Sequence, residues 1–260
     1  MHTGILETRE FFHLAFLRAL ARKVPASSFA VKGGSNLRFF FASNRYSEDI
    51  DLDIDDVPVH VLKDAVASIL GSSGLTDTAR SAGIERIRPP DLARAKQTET
   101  VQRFKVHLLT SAGEDLATKI EFSRRGLDSP IRAEPVLPEV LAAYHMAPLI
   151  VPHYTAGAAV RQKIQALLTR RQPEARDVFD LYTLSPQPEA RELVPGDHFT
   201  ADELARAIDR IDSIEYERYR DTVVGFLAPD DQESYDQSET WDQIRLAVIE
   251  MIEKPRAKKR

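Results

Sequence analysis

Apolar side chains recur along this chain with two different periods, and the changes of period mark its elements. Phe11, Leu14, Phe16, Leu17 and Leu20 lie on one stripe of a helical pattern over 1–23, which Pro25 ends. Phe29, Ala30 and Val31 read as a short strand running into Gly33-Gly34-Ser35, and 37–41 begins a buried helix. Over 49–55 carboxylate and aliphatic alternate strictly, which is the period of a strand. The pattern is helical again over 61–70, and 71–74 closes that helix with flexible residues. Phe104, Val106 and Leu108 alternate with Arg103, Lys105 and His107. Ile120 and Phe122 alternate with Lys119, Glu121 and Ser123, and the turn at Gly113 predicts a hairpin between the two runs.

From Pro138 onward the period is helical, over about 138–146, 156–171, 174–184, 201–218 and 241–253. The change places a domain boundary near 135–138, giving domains 1–136 and 137–260. The expected fold class is α+β: a small mixed sheet with helices on one face, then a helical C-terminal domain. Phe39, Phe40, Val106, Ile120, Phe122, Leu167 and Leu181 are the expected core. The residues 254–260 form a basic tail.

Composition narrows the picture modestly. The net charge of -5 argues against a protein that coats nucleic acid wholesale, though not against a local basic patch. There is no cysteine, so neither a disulfide framework nor a cysteine-ligated zinc site is available. The first helix lacks the basic start and unbroken apolar stretch of a signal peptide. No segment approaches the ~18 apolar residues needed to span a bilayer. The expectation is a cytoplasmic protein with no membrane partner.

The candidate chemistry lies in Lys32-Gly33-Gly34-Ser35 and in the segment from Arg45 to Asp55. Strand geometry puts Asp49, Asp51, Asp53 and Asp55 on one side, where they need water or cations. Two such carboxylates can grip a hard divalent ion, and Mg²⁺ prefers one or two carboxylates plus substrate phosphates. Gly33 and Gly34 let backbone approach a ligand, and Ser35 stands where an N-cap would start the next helix, a place that binds phosphate. A phosphate cradle followed by a carboxylate strand suits phosphoryl transfer. Each piece alone reads as an ordinary turn or a solvated acidic edge. No Gly-Lys-Ser/Thr follows the glycines, so this is not a P-loop.

Gly33-Gly34-Ser35, a gap, then Asp49-Ile50-Asp51-Leu52 resembles the signature of polymerase-β-like nucleotidyltransferases. Lys32 to Arg38 with Arg45, Ser47, Asp49 and Asp51 resembles the AbiEii/AbiGii toxin branch in particular, which often has Thr-Ala where this chain has Ser35-Asn36. Arg161 to Arg170 resembles the branch's lysine-bearing helix. Arg176 to Leu181 resembles its Arg-x-Lys-Asp-x-x-Asp-Leu motif, although no lysine immediately precedes Asp177. The resemblance covers roughly 29–184.

By that resemblance Asp49 and Asp51 are the metal-binding acids, with Mg²⁺ or Mn²⁺ as the ion and Glu121 as the third carboxylate. Asp53 and Asp55 are solvated extras, with Asp53 able to assist. Gly34, Ser35, Arg45 and Lys163 bind the nucleotide, Lys163 through its phosphates, and Asp177 positions or activates the acceptor. Lys163 and Asp177 face a cleft between the halves. The implied activity is transfer of a nucleoside monophosphate from a nucleoside triphosphate to an acceptor, in related toxins the 3′ end of tRNA, which blocks translation. The implied partners are the nucleoside triphosphate, tRNA and a cognate antitoxin, commonly a winged-helix protein like AbiEi.

The residues themselves leave plainer readings open. Glu121 can pair with Lys119 or Lys105 on the surface. Lys163, Arg170 and Asp177 can form weak salt bridges on a solvated helical hairpin. The acceptor can be a protein or small-molecule hydroxyl, or the chain can bind nucleotide or a partner without catalysis. His145 and His153 are poorly spaced for zinc, and Trp241 and Tyr235 read as packing residues.

Overall fold

The computed structural model describes residues 4–91, 97–127 and 129–254, so the basic tail, apart from Lys254, lies outside the described residues. The chain divides into two compact units, Met1–Phe40 with Tyr46–Tyr154, and Phe41–Arg45 with Thr155–Arg260.

The first unit runs α1 (Ile5–Leu20), β1 (Phe29–Lys32), α2 (Gly33–Phe40), β2 (Ile50–Ile54), α3 (Val59–Leu70), α4 (Ser73–Arg80), β3 (Ile84–Arg88), β4 (Val101–Thr110), β5 (Asp115–Ser123), β6 (Ile131–Pro135), α5 (Pro138–Ala143) and β7 (Ile150–Tyr154). Its strands form one mixed sheet in the order β3-β4-β5-β2-β1-β7-β6. β2 runs parallel to β5 and antiparallel to β1. The α+β architecture read from the periods is the one observed.

The alternation in β2 sets the two faces of the sheet. Ile50, Leu52 and Ile54 enter a core with Phe12, Phe16 and Leu17 of α1, Leu62 and Val66 of α3, Leu75 of α4 and Phe104 of β4. Each fully buried Phe or Leu contributes roughly 1.5–3 kcal/mol relative to exposure, so this face fixes the register of the strand. The odd-numbered acids of β2 are thereby left on the opposite face.

Several boundaries differ from expectation. The first unit extends to Tyr154, past the break expected at 136/137, because β7 pairs with both β1 and β6. Pro135 and Pro152 had masked these two strands, since proline cannot donate to a ladder. Residues 73–80, which begin within the flexible stretch 71–74 expected to close the previous helix, form α4, which Ser72 caps by accepting from Leu75 N–H. β3 is irregular, with a register shift between Ile84 and Arg86 that breaks its alternation. Helix α2 starts at Gly33, so Ser35 lies inside its first turn and is not its N-cap. Phe40 is half-buried, stacked on His153 with ring centroids 3.6 Å apart.

The second unit is helical: α6 (Ala156–Thr169), α7 (Ala175–Leu184), α8 (Pro188–Glu192), α9 (Ala201–Asp212), α10 (Tyr216–Thr222), α11 (Pro229–Tyr235) and α12 (Ser238–Ile252). Thr155 caps α6, and Thr200 with Glu203 forms a capping box on α9. The single helix expected over 201–218 is interrupted at 213–215. There Trp241 Nε1 donates to the Ile214 carbonyl, and its ring stacks on Tyr219 at 4.6 Å. Leu167 and Leu181 are buried, as expected.

Candidate active site

The first unit brings the glycine turn against the acidic strand. β1 and β2 pair so that Lys32 faces Asp51, which places Gly33 at the end of that ladder. Gly33 has φ +65°, the left-handed region that favours glycine. A Cβ there would lie 2.9 Å from Asp51 Oδ2. The glycine is required twice, once for its backbone angle and once for the carboxylate it touches. Ser35 Oγ and Ser47 Oγ both donate to the Asp49 carbonyl, at 3.2 and 2.7 Å. Ser35, expected at the nucleotide, therefore fastens the loop that carries Asp49.

Register carries the charged face across the sheet. Asp51 lies opposite Glu121, and Glu121 lies opposite Arg103. Arg103 grips Glu121 with two bonds, Nε at 2.6 Å and a terminal nitrogen at 3.3 Å. Lys119 Nζ sits 2.9 Å from Asp49 Oδ2 and 3.6 Å from Glu121 Oε2. Asp51, half-buried, has no hydrogen bond or ion pair among the described residues.

These contacts explain the acidities. Burial pushes Asp51 above the ordinary aspartate range, and the Glu121 and Asp49 charges add to that against the pull of Lys119 and Lys32. Burial also acts to raise Glu121, but the Arg103 hydrogen bond and the Lys119 charge outweigh it and hold the carboxyl below its usual value. Burial acts to lower Lys119, yet the Asp49 bond and the surrounding carboxylates hold it above its usual value.

Asp53 departs from expectation. It is buried, and it accepts from Lys32 Nζ and from Tyr154 Oη, the latter at 2.6 Å. It therefore ties β2 to β1 and β7 and is not a solvated extra. Asp55 is exposed.

Among the described residues no group of three or more His, Asp or Glu side chains is gathered closely enough to hold a metal ion by itself. Arg103 and Lys119 occupy Glu121, so the expected trio of Asp49, Asp51 and Glu121 is not assembled. Asp49 and Asp51 nevertheless fit a hard cation. They offer carboxylate oxygens, Asp51 has no ion pair among the described residues, and the Lys119 ammonium stands in for positive charge between Asp49 and Glu121. Such a pair suits an ion that takes its remaining ligands from phosphates.

A buried outer layer supports this segment. Thr118 Oγ1 donates to the Glu48 carbonyl at 2.7 Å, so the buried His13 must donate through Nε2 to Thr118, also at 2.7 Å. Burial, with Arg9 nearby, lowers His13 to about 3, and the ring is neutral.

The second unit holds a separate charged cluster. Asp180, fully buried, accepts from Arg45 at 2.9 Å and lies 2.5 Å from Lys163 Nζ. Asp177, also fully buried, accepts from Lys163 at 3.0 Å. Arg170 Nε approaches the other Asp177 oxygen at 2.8 Å, close but poorly directed for a hydrogen bond. Burial opposes the charge of Lys163 but is outweighed by Asp180 and Asp177, and its ammonium is raised. Burial likewise opposes Asp180, and the Arg45 and Lys163 charges hold it below the ordinary range. The pairs are thus buried and are not the solvated bridges of the plainer reading. Arg45, expected at the nucleotide, is buried against Asp180. Asp177 orients Lys163.

Sequence alone assigned no role to Asp180 or Arg103, and to Lys119 only a surface pairing with Glu121. Asp180 lies in the Arg176 to Leu181 motif and shares a helix face with Asp177, a spacing that could have marked it. Arg103 carries no local signal, because only strand pairing brings it to Glu121; Lys119 shares a strand face with Glu121 two residues on, but only strand pairing brings it to Asp49.

A family model described as nucleotidyl transferase AbiEii toxin of type IV toxin–antitoxin systems matches residues 15–247. The chain belongs to this AbiEii family. Membership makes it a nucleotidyltransferase toxin by family and implies a nucleotide substrate and an antitoxin partner. The fold of this AbiEii chain is similar to that of the nucleotidyltransferase toxin MenT4 from Mycobacterium tuberculosis, with a TM-score of 0.58 and 18% identity over 95% of this chain and 84% of that one. JHP933 from Helicobacter pylori is also similar, with a TM-score of 0.54 and 21% identity over 96% of this chain and 91% of that one. No curated protein matched by sequence. Among the described residues no helix is long and apolar enough to cross a membrane.

Proposed function

We propose that this AbiEii protein transfers a nucleoside monophosphate from a nucleoside triphosphate to the 3′ hydroxyl of tRNA, and so blocks translation. The observation that carries the reading is the unpaired, half-buried Asp51 carboxylate lying against Gly33 at the start of α2. The first turn of that helix presents backbone N–H groups without intrahelical partners, a cradle suited to phosphate. Asp49 and Asp51 would hold Mg²⁺ or Mn²⁺, which when bound neutralises charge on the phosphates. Ser35 and Ser47 hold the Asp49 backbone still. Lys163, the cation that the family resemblance assigns to phosphate, is held within the second unit by Asp177 and Asp180.

The acceptor oxygen bonds to the α-phosphorus, the bond from that phosphorus to the bridging oxygen breaks, and pyrophosphate leaves. The acceptor's proton passes to solvent. The tRNA acceptor, the cytoplasmic location and a winged-helix antitoxin rest on the family resemblance.

The test is incubation with each labelled nucleoside triphosphate, Mg²⁺ and total tRNA, followed by gel analysis. Label in tRNA that is lost with Asp51→Ala supports the reading. Label in protein or in a small molecule moves the acceptor. No transfer under any condition, or full transfer by Asp51→Ala, rejects it.

A further inference from the structure

Among the described residues Lys119 is the one cation on the charged face that bridges two of its carboxylates. Arg103 is committed to Glu121 by a bidentate pair, and Lys32 is committed to Asp53. Among the described residues only the Lys119 ammonium contacts the Asp49 carboxylate, and it reaches Glu121 as well. Asp51, beside them in register with Glu121, makes no side-chain hydrogen bond or ion pair among the described residues. The ammonium therefore occupies ground that a divalent ion on Asp49 would need, and two cations cannot share it without strong repulsion.

We propose that Lys119 is the resident counter-ion of this site. It holds the carboxylates together before metal arrives, and a divalent ion must displace it. The inference rests on the metal reading proposed above and adds a determinant of metal affinity that lies on β5. The side chain is built for displacement. Its flexible side chain is 30% exposed, so the ammonium can swing into water without being stranded. Its cross-strand neighbour is Lys105, an exposed like charge that favours departure. Arg103 stays on Glu121 throughout and keeps that carboxylate neutralised. The metal thus exchanges with one monovalent charge and does not have to break the bidentate pair.

The test measures Mn²⁺ binding by the full chain, using the paramagnetic resonance signal of free Mn²⁺, for wild type, Lys119→Met, Lys119→Arg and Asp49→Asn. Thermal melts follow in chelator and in Mn²⁺. Lys119→Met should bind Mn²⁺ about two- to fivefold more tightly, the scale of one partly exposed ion pair. It should melt lower than wild type in chelator and gain more from Mn²⁺. Lys119→Arg, which keeps the charge, should bind like wild type. Lys119→Gln serves if the Met variant does not fold. Equal or weaker binding by Lys119→Met, with Asp49→Asn impaired, overturns the counter-ion role and leaves the metal reading standing. No binding by any form, with Asp49→Asn no different from wild type, overturns both.

Discussion

Gly33 and Asp51 are in contact: a single carbon added at 33 would stand 2.9 Å from the Asp51 carboxylate. The turn that starts α2 and the acid at the heart of the charged face are therefore one unit. Gly33→Ala must place a side chain at φ +65° and push Asp51 aside. We expect a loss of about 1–2 kcal/mol in urea unfolding. Nucleotide transfer should fall much further than stability. A variant with wild-type transfer would show that the contact is incidental.

Asp51→Asn should behave in the opposite way. The charge it removes is disfavoured by burial, so folding stability at neutral pH should be unchanged or raised. Transfer should be abolished. Melting curves and a labelled-nucleotide assay on one preparation separate the two effects.

His13 predicts a pH dependence. Its folded value is lowered from 6.5 to about 3, so below pH 6.5 the unfolded chain takes up a proton that the folded chain does not. Stability is fully present above 6.5 and declines as pH falls toward about 3, with a slope of up to about 1.4 kcal/mol per pH unit from this group. His13→Gln should flatten that part of the profile measured by urea unfolding. An unchanged slope would place the proton uptake elsewhere.

Asp180→Asn should cost about 3–5 kcal/mol, because Arg45 and Lys163 would remain buried with their shared carboxylate neutralised. The folded value of Asp180 is depressed, so its contribution is present above the ordinary aspartate range and is lost as pH falls through the folded value. The difference between wild type and variant should therefore shrink in acid. A difference that persists unchanged at low pH would rule out the ion pair as its source.

The strands and helices that were readable in advance are those whose burial pattern is regular. The alternation over 49–55 located β2 and separated Asp51 from the core. The run 104–108 and its partner 120–122 located the hairpin. The missed elements share a local defect. β6 and β7 carry Pro135 and Pro152, β3 carries a bulge, and α4 begins among Ser and Gly residues. In each, tertiary pairing or packing overrides a weak local preference.

What the sequence determined by itself was chemistry set by short-range spacing: the glycine turn, the acidic strand and the face on which its carboxylates lie. Period and backbone sterics act within a few residues, so one chain is enough to read them. Which acid is free and which is neutralised was decided only in three dimensions. Tyr154 reaches Asp53, Arg103 reaches Glu121 and Lys119 reaches Asp49 through strand order, and the charge state of a carboxylate depends on neighbours that sequence distance does not reveal.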